Sequence, residues 1–278
     1  MPPENSSAAV LLGGVLCILG AGVLFLQIRQ WRPVCGVRPW MSGRGAFGRV
    51  LIALVGIQFF IPLAFLLLTG SQDRLDEAFI FPAAIVVQFL SFGVLFWLRS
   101  REGETAPIFP QGGILARIPG GCWHPLACLF ATLALIAIAS QPALALAELA
   151  KLTGIPLPLD PVKKQDLLLL LARHQSDWTF LGFAALGTVV AAPIAEEFIF
   201  RAWLYPYLKQ KIGMRYAVFA TGFVFGIIHF NFFAFLPLAV FGAYLCLVYE
   251  KTGDIRVPIL IHGLHNLLSV VVTVVAGD

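Results

Sequence analysis

Charged residues are scarce in this chain. Only 12% of its 278 residues are Asp, Glu, Lys or Arg, whereas 59% are hydrophobic. A soluble globular domain normally has about a quarter of its residues charged, so this composition excludes an ordinary soluble domain. The formal net charge of +4 is small and does not favour a nucleic-acid partner. The composition predicts an integral membrane protein in direct contact with the lipid bilayer.

Several sequence motifs are also missing. The five cysteines are scattered without CxxC or CxxH spacing, so neither a disulfide framework nor a thiolate metal site is indicated. The HExxH motif of zinc peptidases is absent. No serine or cysteine is an evident nucleophile beside the polar residues described below, which disfavours covalent catalysis. No internal repeat is visible, as an inverted-repeat transporter would require.

Long apolar segments predict an all-α fold, a polytopic membrane helix bundle with about eight transmembrane helices. The sixth and seventh segments almost meet at Asn231, which predicts a tight turn. Basic residues are concentrated in alternate connections, and this bias predicts that both termini lie on the outer side of the membrane. The eight segments are residues 8–28, 46–69, 78–98, 124–147, 178–200, 216–230, 232–249 and 257–276.

The segments divide into two parts. Residues 1–150 hold N-terminal transmembrane helices to which no role can be assigned. Residues 151–278 hold the polar residues that bear chemistry, together with a segment near 160–177 whose leucine run between charges predicts an amphipathic interfacial helix. The short connections favour a multi-pass protein of a prokaryotic inner membrane.

The most informative feature is an acidic pair inside an apolar stretch. Glu196 and Glu197 follow a run without charge that begins after Asp177, and Arg201 comes four residues after Glu197. Each such charge near the bilayer centre costs roughly 2.5–3.5 kcal/mol, so ionisable residues there indicate a functional site. The spacing predicts an ion pair between Glu197 and Arg201 on one helical face. Glu196 lies about 100° around the helix and stays chemically available.

Pro193, three residues before Glu196, frees a backbone carbonyl and bends the helix. The proline is either a tolerated kink or the feature that aims the acidic pair into the helix bundle. The sequence leaves both interpretations open.

Two further polar patterns follow the acidic pair. Phe225 precedes His229 by one helical turn, and His262 and Asn266 are four residues apart on one face of the last segment. A lone histidine in a helix is more often a packing residue than a functional one. These residues occur on three separate helices together with Glu196, and because lipid disfavours all of them, we expect them to face a shared interior.

Three motifs, Glu-Glu-x-x-x-Arg, Phe-x-x-x-His and His-x-x-x-Asn, occur in that order on successive apolar segments. This pattern resembles the CPBP family, the type II CAAX prenyl endopeptidases and bacteriocin-processing or immunity proteins that are also called the Abi family. The resemblance covers about residues 178–270, and every motif position is filled.

The resemblance implies an intramembrane endopeptidase of the glutamic type. It implies that Glu196 is the general base, that His229 is its partner in activating water, and that His262 and Asn266 stabilise the oxyanion. Glu197, Arg201 and Phe225 would support the site. This chemistry is reasonable in itself, because peptide hydrolysis needs an activated water and donors aimed at the carbonyl oxygen.

Other functions remain open at this point. A zinc ion held by Glu196, His229 and His262 is the alternative to cofactor-free catalysis. A proton-coupled transporter or a non-catalytic membrane scaffold would use the same buried polar residues. The expected partner is a membrane-associated protein or peptide substrate, possibly one that is prenylated, and the sequence indicates no oligomeric state.

Overall fold

The structure is a computed structural model that describes residues 5–32, 48–49, 51–52, 80–101, 121–154, 173–174 and 176–276. All regular structure in this part of the chain is helical. A short 3₁₀ turn precedes the third of the long helices. These helices are α1 (Asn5–Arg29), α2 (Ile80–Arg101), α3 (Pro125–Thr153), α4 (Trp178–Ile212), α5 (Met214–Ile227), α6 (Phe232–Thr252) and α7 (Arg256–Ala276).

The helices have the length and composition of membrane spans. Four of them, α3, α4, α6 and α7, are long and apolar enough to cross a membrane, and α1 and α5 contain shorter apolar stretches. The prediction of an all-α membrane helix bundle is confirmed, and the protein is an integral membrane protein. Seven of the eight predicted segments coincide with described helices. Most of the predicted segment 46–69, and most of the predicted interfacial segment near 160–177, lie outside the described residues.

Local sequence signals set the ends of the helices. The Asp177 carboxylate caps α4 by accepting two backbone N–H bonds of 3.0 Å, and the Asn231 side chain caps α6 with one of 2.9 Å. These caps satisfy N–H groups that have no partner within the helix. Gly213 before α5 and Gly253 after α6 have φ of 79° and 65°, which glycine adopts without strain. The predicted turn at Asn231 is therefore the connection from α5 to α6.

The described residues group into two compact units, each discontinuous in sequence. The first unit comprises residues within 1–37, 112–163 and 208–261, and the second comprises residues within 38–111, 164–207 and 262–278. The boundaries cut through α4 and α7. The division at residue 150 was drawn from the position of the motifs and stays a prediction about the roles of the two parts.

Small residues bring the helices of the first unit close together. A Cβ atom at Gly222 of α5 would lie 2.5 Å from the carbonyl oxygen of Ala239 on α6, and one at Gly226 would lie 2.7 Å from that of Phe235. A Cβ atom at Gly20 of α1 would likewise collide with the carbonyl oxygen of Phe130 on α3. In lipid, helices associate through such close packing because burial of apolar surface no longer drives association.

A buried polar cluster also links three elements of the first unit. The Gln27 side chain of α1 donates to the Cys122 carbonyl at 2.7 Å, and the Tyr244 hydroxyl of α6 donates to Gln27 Oε1 at 3.0 Å. Gln27 and Tyr244 are almost fully buried. Buried polar groups need such partners, so these bonds fix how α1 and α6 lie against each other.

The second unit is built around α4. Helix α2 packs against its central part, where the rings of Phe92 and Phe198 meet edge to face with centroids 4.9 Å apart. The part of α7 from His262 onward belongs to the same unit. This unit therefore contains the acidic pair and the histidine–asparagine motif.

We expect Gly222→Ala to destabilise the first unit by about 1–3 kcal/mol, because the added Cβ would overpack the α5–α6 contact. The measurement is thermal unfolding in detergent. Gly93→Ala on α2 is the matched control, since no atom lies within 4 Å of its added Cβ. Equal melting temperatures for the two variants would contradict the packing argument.

Candidate active site

Two wide turns of α4 flank the acidic pair. Leu186–Ala191 and Phe198–Leu204 are π-helical, and Ala192–Glu197 forms a regular α-helical turn between them. In the first wide turn the N–H of Ala192 donates to the carbonyl of Gly187, five residues back. Single π turns occur frequently at functional sites because they change which side chains share a face.

Glu197 and Arg201 form a fully buried ion pair. Arg201 Nη1 donates to Glu197 Oε1 at 2.9 Å, and both side chains have 0% exposure. The guanidinium cannot lose its proton in a protein, so Arg201 places a permanent positive charge beside the buried carboxyl group of Glu197. The spacing of four residues therefore produces the contact that the sequence predicts for this face.

The His262 ring lies between the two glutamates. Its Nδ1 is 2.9 Å from Glu197 Oε1, and its Nε2 is 3.9 Å from Glu196 Oε2. An ionised carboxylate only accepts hydrogen bonds, so we assign the proton to Nδ1, which donates to Glu197. A carboxylate in this position fixes the tautomer and orientation of an imidazole. Glu197 thus holds His262 with its Nε2 turned toward Glu196.

Glu196 is the more accessible of the two acids. Its side chain is 19% exposed, whereas that of Glu197 is 0% exposed. Glu196 Oε2 is nevertheless buried and has no hydrogen-bond partner among the residues that the structure describes. A buried carboxylate oxygen without a protein partner is a position suited to hold a water molecule or a substrate group.

Asn266 contacts the backbone of α4. Its Nδ2 donates to the carbonyl oxygen of Thr188 at 2.7 Å, in the first wide turn. One turn earlier on α7, a Cβ at Gly263 would lie 2.8 Å from the carbonyl oxygen of Val189. Helix α7 therefore lies close to two successive carbonyls of α4. Asn266 donates a hydrogen bond to the first, and Gly263 can lie beside the second because it has no side chain.

His229 and Phe225 belong to the first unit. His229 Nδ1 lies 2.7 Å from the Phe225 carbonyl oxygen. Because a carbonyl only accepts, Nδ1 carries a proton, and in the neutral ring Nε2 is the acceptor. The two rings pack with centroids 5.0 Å apart. Phe225 thereby orients the histidine through its backbone and through its ring.

The second unit brings four of the seven predicted site residues into one cluster, and it places Asn266 one turn further along α7. Thr188, Val189 and Gly263 were missed by sequence reasoning. Thr188 and Val189 contribute only backbone carbonyls, which carry no side-chain signal. Gly263 has a signal in the sequence, since it lies directly after His262 in a helix that otherwise contains larger residues. The four clustered residues are Glu196, Glu197, Arg201 and His262.

A metal ion would need several ligating side chains close together. Among the residues that the structure describes, no group of three histidine, cysteine, aspartate or glutamate side chains is placed to hold a metal ion. The choice between cofactor-free catalysis and a zinc ion at Glu196, His229 and His262 stays a prediction that experiment must test.

Comparison with known proteins matches this region. Residues 178–268 match the family model described as type II CAAX prenyl endopeptidase, Rce1-like. The resemblance inferred from the three motifs is confirmed. The Rce1-like segment spans α4, α5 and α6 and most of α7, and therefore includes all seven predicted site residues.

Two curated proteins share this similarity. "CAAX prenyl protease 2" of Homo sapiens is 32% identical over 104 residues, which are 30% of this chain and 32% of that protein. "Putative membrane peptidase YdiL" of Bacillus subtilis (strain 168) is 30% identical over 82 residues, which are 30% of this chain and 34% of that protein. The matched part thus spans about a third of each relative. No solved structure matches significantly.

We expect Arg201→Met to destabilise the protein by about 3–5 kcal/mol, because it leaves the Glu197 carboxylate buried without its cation. Yield, monodispersity and melting temperature in detergent are the measurements. A second substitution, Glu197→Gln, should recover part of the loss by removing the unpaired charge.

Lys151→Met is the matched control for Arg201→Met. It breaks the Lys151–Glu148 pair, whose side chains are 67% and 65% exposed, and exposed pairs contribute little. If Arg201→Met behaves like this control, the buried pair does not hold the second unit together.

Proposed function

We propose that this protein is an intramembrane endopeptidase that hydrolyses a peptide bond of a membrane-associated protein or peptide with water activated at Glu196. The observation that carries the proposal is the contact of His262 with both glutamates, at 2.9 Å from Glu197 and 3.9 Å from Glu196. The match of residues 178–268 to an endopeptidase family supports it.

The charges of the cluster suit this chemistry. Arg201 and ionised Glu197 neutralise each other, which leaves Glu196 and His262 as a second pair. This second pair is neutral when one proton resides on either Glu196 or His262. Buried charge is costly unless it is balanced, so the resting cluster has no net charge in both arrangements. Glu196 as carboxylate with His262 as imidazolium is the arrangement that can accept a proton from water.

The hydrolytic step preserves this balance. Glu196 removes a proton from water while the water oxygen attacks the scissile carbonyl, and a negative charge forms on the carbonyl oxygen. The cluster becomes positive by one charge as the substrate becomes negative by one, so the site as a whole remains neutral. Glu196 then gives the proton to the leaving amine as the C–N bond breaks, which restores the carboxylate.

The donors to the oxyanion are proposed from the family resemblance. Protonated His262 uses Nδ1 for Glu197 and keeps the Nε2 proton for the substrate oxygen. Asn266 uses one amide hydrogen for Thr188, and its amide has a second one. Each donor of this kind contributes about 2.7–4 kcal/mol to catalysis in a dry site.

His229 is proposed as the partner of Glu196 on the same resemblance. Its Nδ1 donates to the Phe225 carbonyl, so its Nε2 has the lone pair that a water-activating base requires. We propose no metal ion for this step.

The substrate class is inferred from the relatives, and the location is inferred from the sequence. One relative is named "CAAX prenyl protease 2", and we propose a prenylated or otherwise membrane-bound peptide as the substrate class. We also propose the inner membrane of a prokaryote as the site of action, because the sequence indicates short connections between its apolar segments.

We expect Glu196→Gln to abolish cleavage without loss of expression, because an amide cannot take the proton of water. The measurement compares new protein and peptide termini in membranes that contain wild type or Glu196→Gln at equal levels. Glu148→Gln is the matched control, since Glu148 is an exposed acid of α3. Termini produced by wild type and by the control, and absent with Glu196→Gln, support proteolysis.

An equal set of termini in all three membranes would overturn the proposal. Proton-driven flux in liposomes that depends on Glu196 would then favour a transporter. Full rescue of a deletion phenotype by Glu196→Gln would favour a non-catalytic scaffold.

We expect cleavage by the purified protein to survive prolonged treatment with metal chelators, because Glu196 activates water in this proposal without a Lewis acid. Activity of treated and untreated protein is compared before and after addition of zinc. Loss of activity with the chelator, and its return with zinc, would support the zinc site at Glu196, His229 and His262.

A further inference from the structure

Pro193 removes a backbone donor from the first wide turn of α4. The preceding residue, Ala192, donates its N–H to the carbonyl five residues back. Continued in this register, residue 193 would serve the Thr188 carbonyl, and in a regular α-helical register it would serve that of Val189. Proline has no N–H and can serve neither.

The two carbonyls in question are the two that α7 approaches. Thr188 accepts a 2.7 Å hydrogen bond from Asn266 Nδ2, and the Val189 oxygen lies where a side chain at Gly263 would begin. An unpaired carbonyl in an apolar span costs several kcal/mol. Asn266 therefore supplies a hydrogen bond to a carbonyl that residue 193 cannot serve, and Gly263 leaves room beside the next carbonyl.

We propose that Asn266 is a positioning residue that replaces the backbone donor missing at Pro193 and so fixes the register of α4 ahead of the acidic pair. Gly263 permits this contact by letting the two helices approach. In this proposal the Asn266–Thr188 contact sets the position of Glu196 and Glu197 on α4. This role of Asn266 does not depend on its donating to an oxyanion.

A second contact makes the register specific. His262, one turn before Asn266 on α7, binds Glu197 at 2.9 Å, nine residues after Thr188 on α4. The order of the two contacts is opposite along the two helices, so α7 runs antiparallel to α4 within the second unit. Two anchors on one face of α7 fix both the translation and the rotation of the segment between Thr188 and Glu197, which contains Glu196.

The test is a double-mutant cycle with a restored backbone donor. Asn266→Leu removes the amide at similar volume and leaves the Thr188 carbonyl without this donor, so it should lower the melting temperature by at least roughly 2–4 °C, the shift for one net hydrogen bond in a chain of about this size. Pro193→Ala returns an N–H to residue 193. In the Asn266→Leu background, Pro193→Ala should recover at least half of the lost melting temperature.

The control places the same change elsewhere. Pro237 is a buried proline inside α6, and Pro237→Ala in the Asn266→Leu background should recover nothing. If Asn266→Leu yields no folded protein, recovery of folded protein by Pro193→Ala is the supporting result. Additive losses in the double variant, or equal recovery from Pro237→Ala, would overturn the proposal.

Cleavage provides a readout that a general loss of stability does not move. With peptide cleavage measured well below the melting temperature, the Asn266→Leu loss in kcat should be partly reversed by Pro193→Ala. If Asn266 acts only as an oxyanion donor, Pro193→Ala leaves kcat depressed and the melting temperature of Asn266→Leu is unchanged, which overturns the proposal. The melting-temperature measurements do not depend on cleavage. They therefore test the positioning role of Asn266 even if the proposed endopeptidase function is wrong.

Discussion

Polar groups inside an apolar helix must find their partners within the protein, and the arrangement of α4 follows from this constraint. Arg201 pairs with Glu197, and Glu197 orients His262. Asn266 donates a hydrogen bond to the carbonyl of Thr188. In water each of these groups would have an alternative partner in solvent. In a membrane span it has none, so each contact depends on the one before it. Glu196, the proposed general base, therefore lies among neighbours whose own positions are fixed by these contacts.

Much of this arrangement could be predicted from the sequence, because apolar length and helical spacing are local properties. The helix bundle follows from runs of about 20 apolar residues, and the Glu197–Arg201 contact follows from a separation of four residues. The His262–Glu197 contact could only be expected as shared burial, since no local rule selects which acid the imidazole meets.

The wide turns were beyond prediction for a different physical reason. A π turn is no more favourable than an α turn by local propensity, and here the Thr188 carbonyl accepts a hydrogen bond from Asn266, 78 positions later in the chain. Pro193 showed that a carbonyl was freed, but only the approach of α7 shows which residue receives it. The role of Asn266 therefore emerges at the level of tertiary structure.

Helix α4 also has a consequence for how its sequence tolerates changes in length. A turn with bonds from i to i−5 contains one residue more than a regular turn requires, so the residues of the next regular turn, Ala192–Glu197, are rotated by about 100° from the positions that uninterrupted α-helical counting assigns. Deletion of a single residue between Leu186 and Ala191 would remove this extra residue and allow a regular helix to form with the acidic pair still on its present face, whereas a deletion from a regular turn upstream would rotate the pair by about 100° away from α7. The site thus requires a particular helical phase of Glu196, and the wide turn is the one place upstream of it in α4 where the chain can lose a residue without changing that phase.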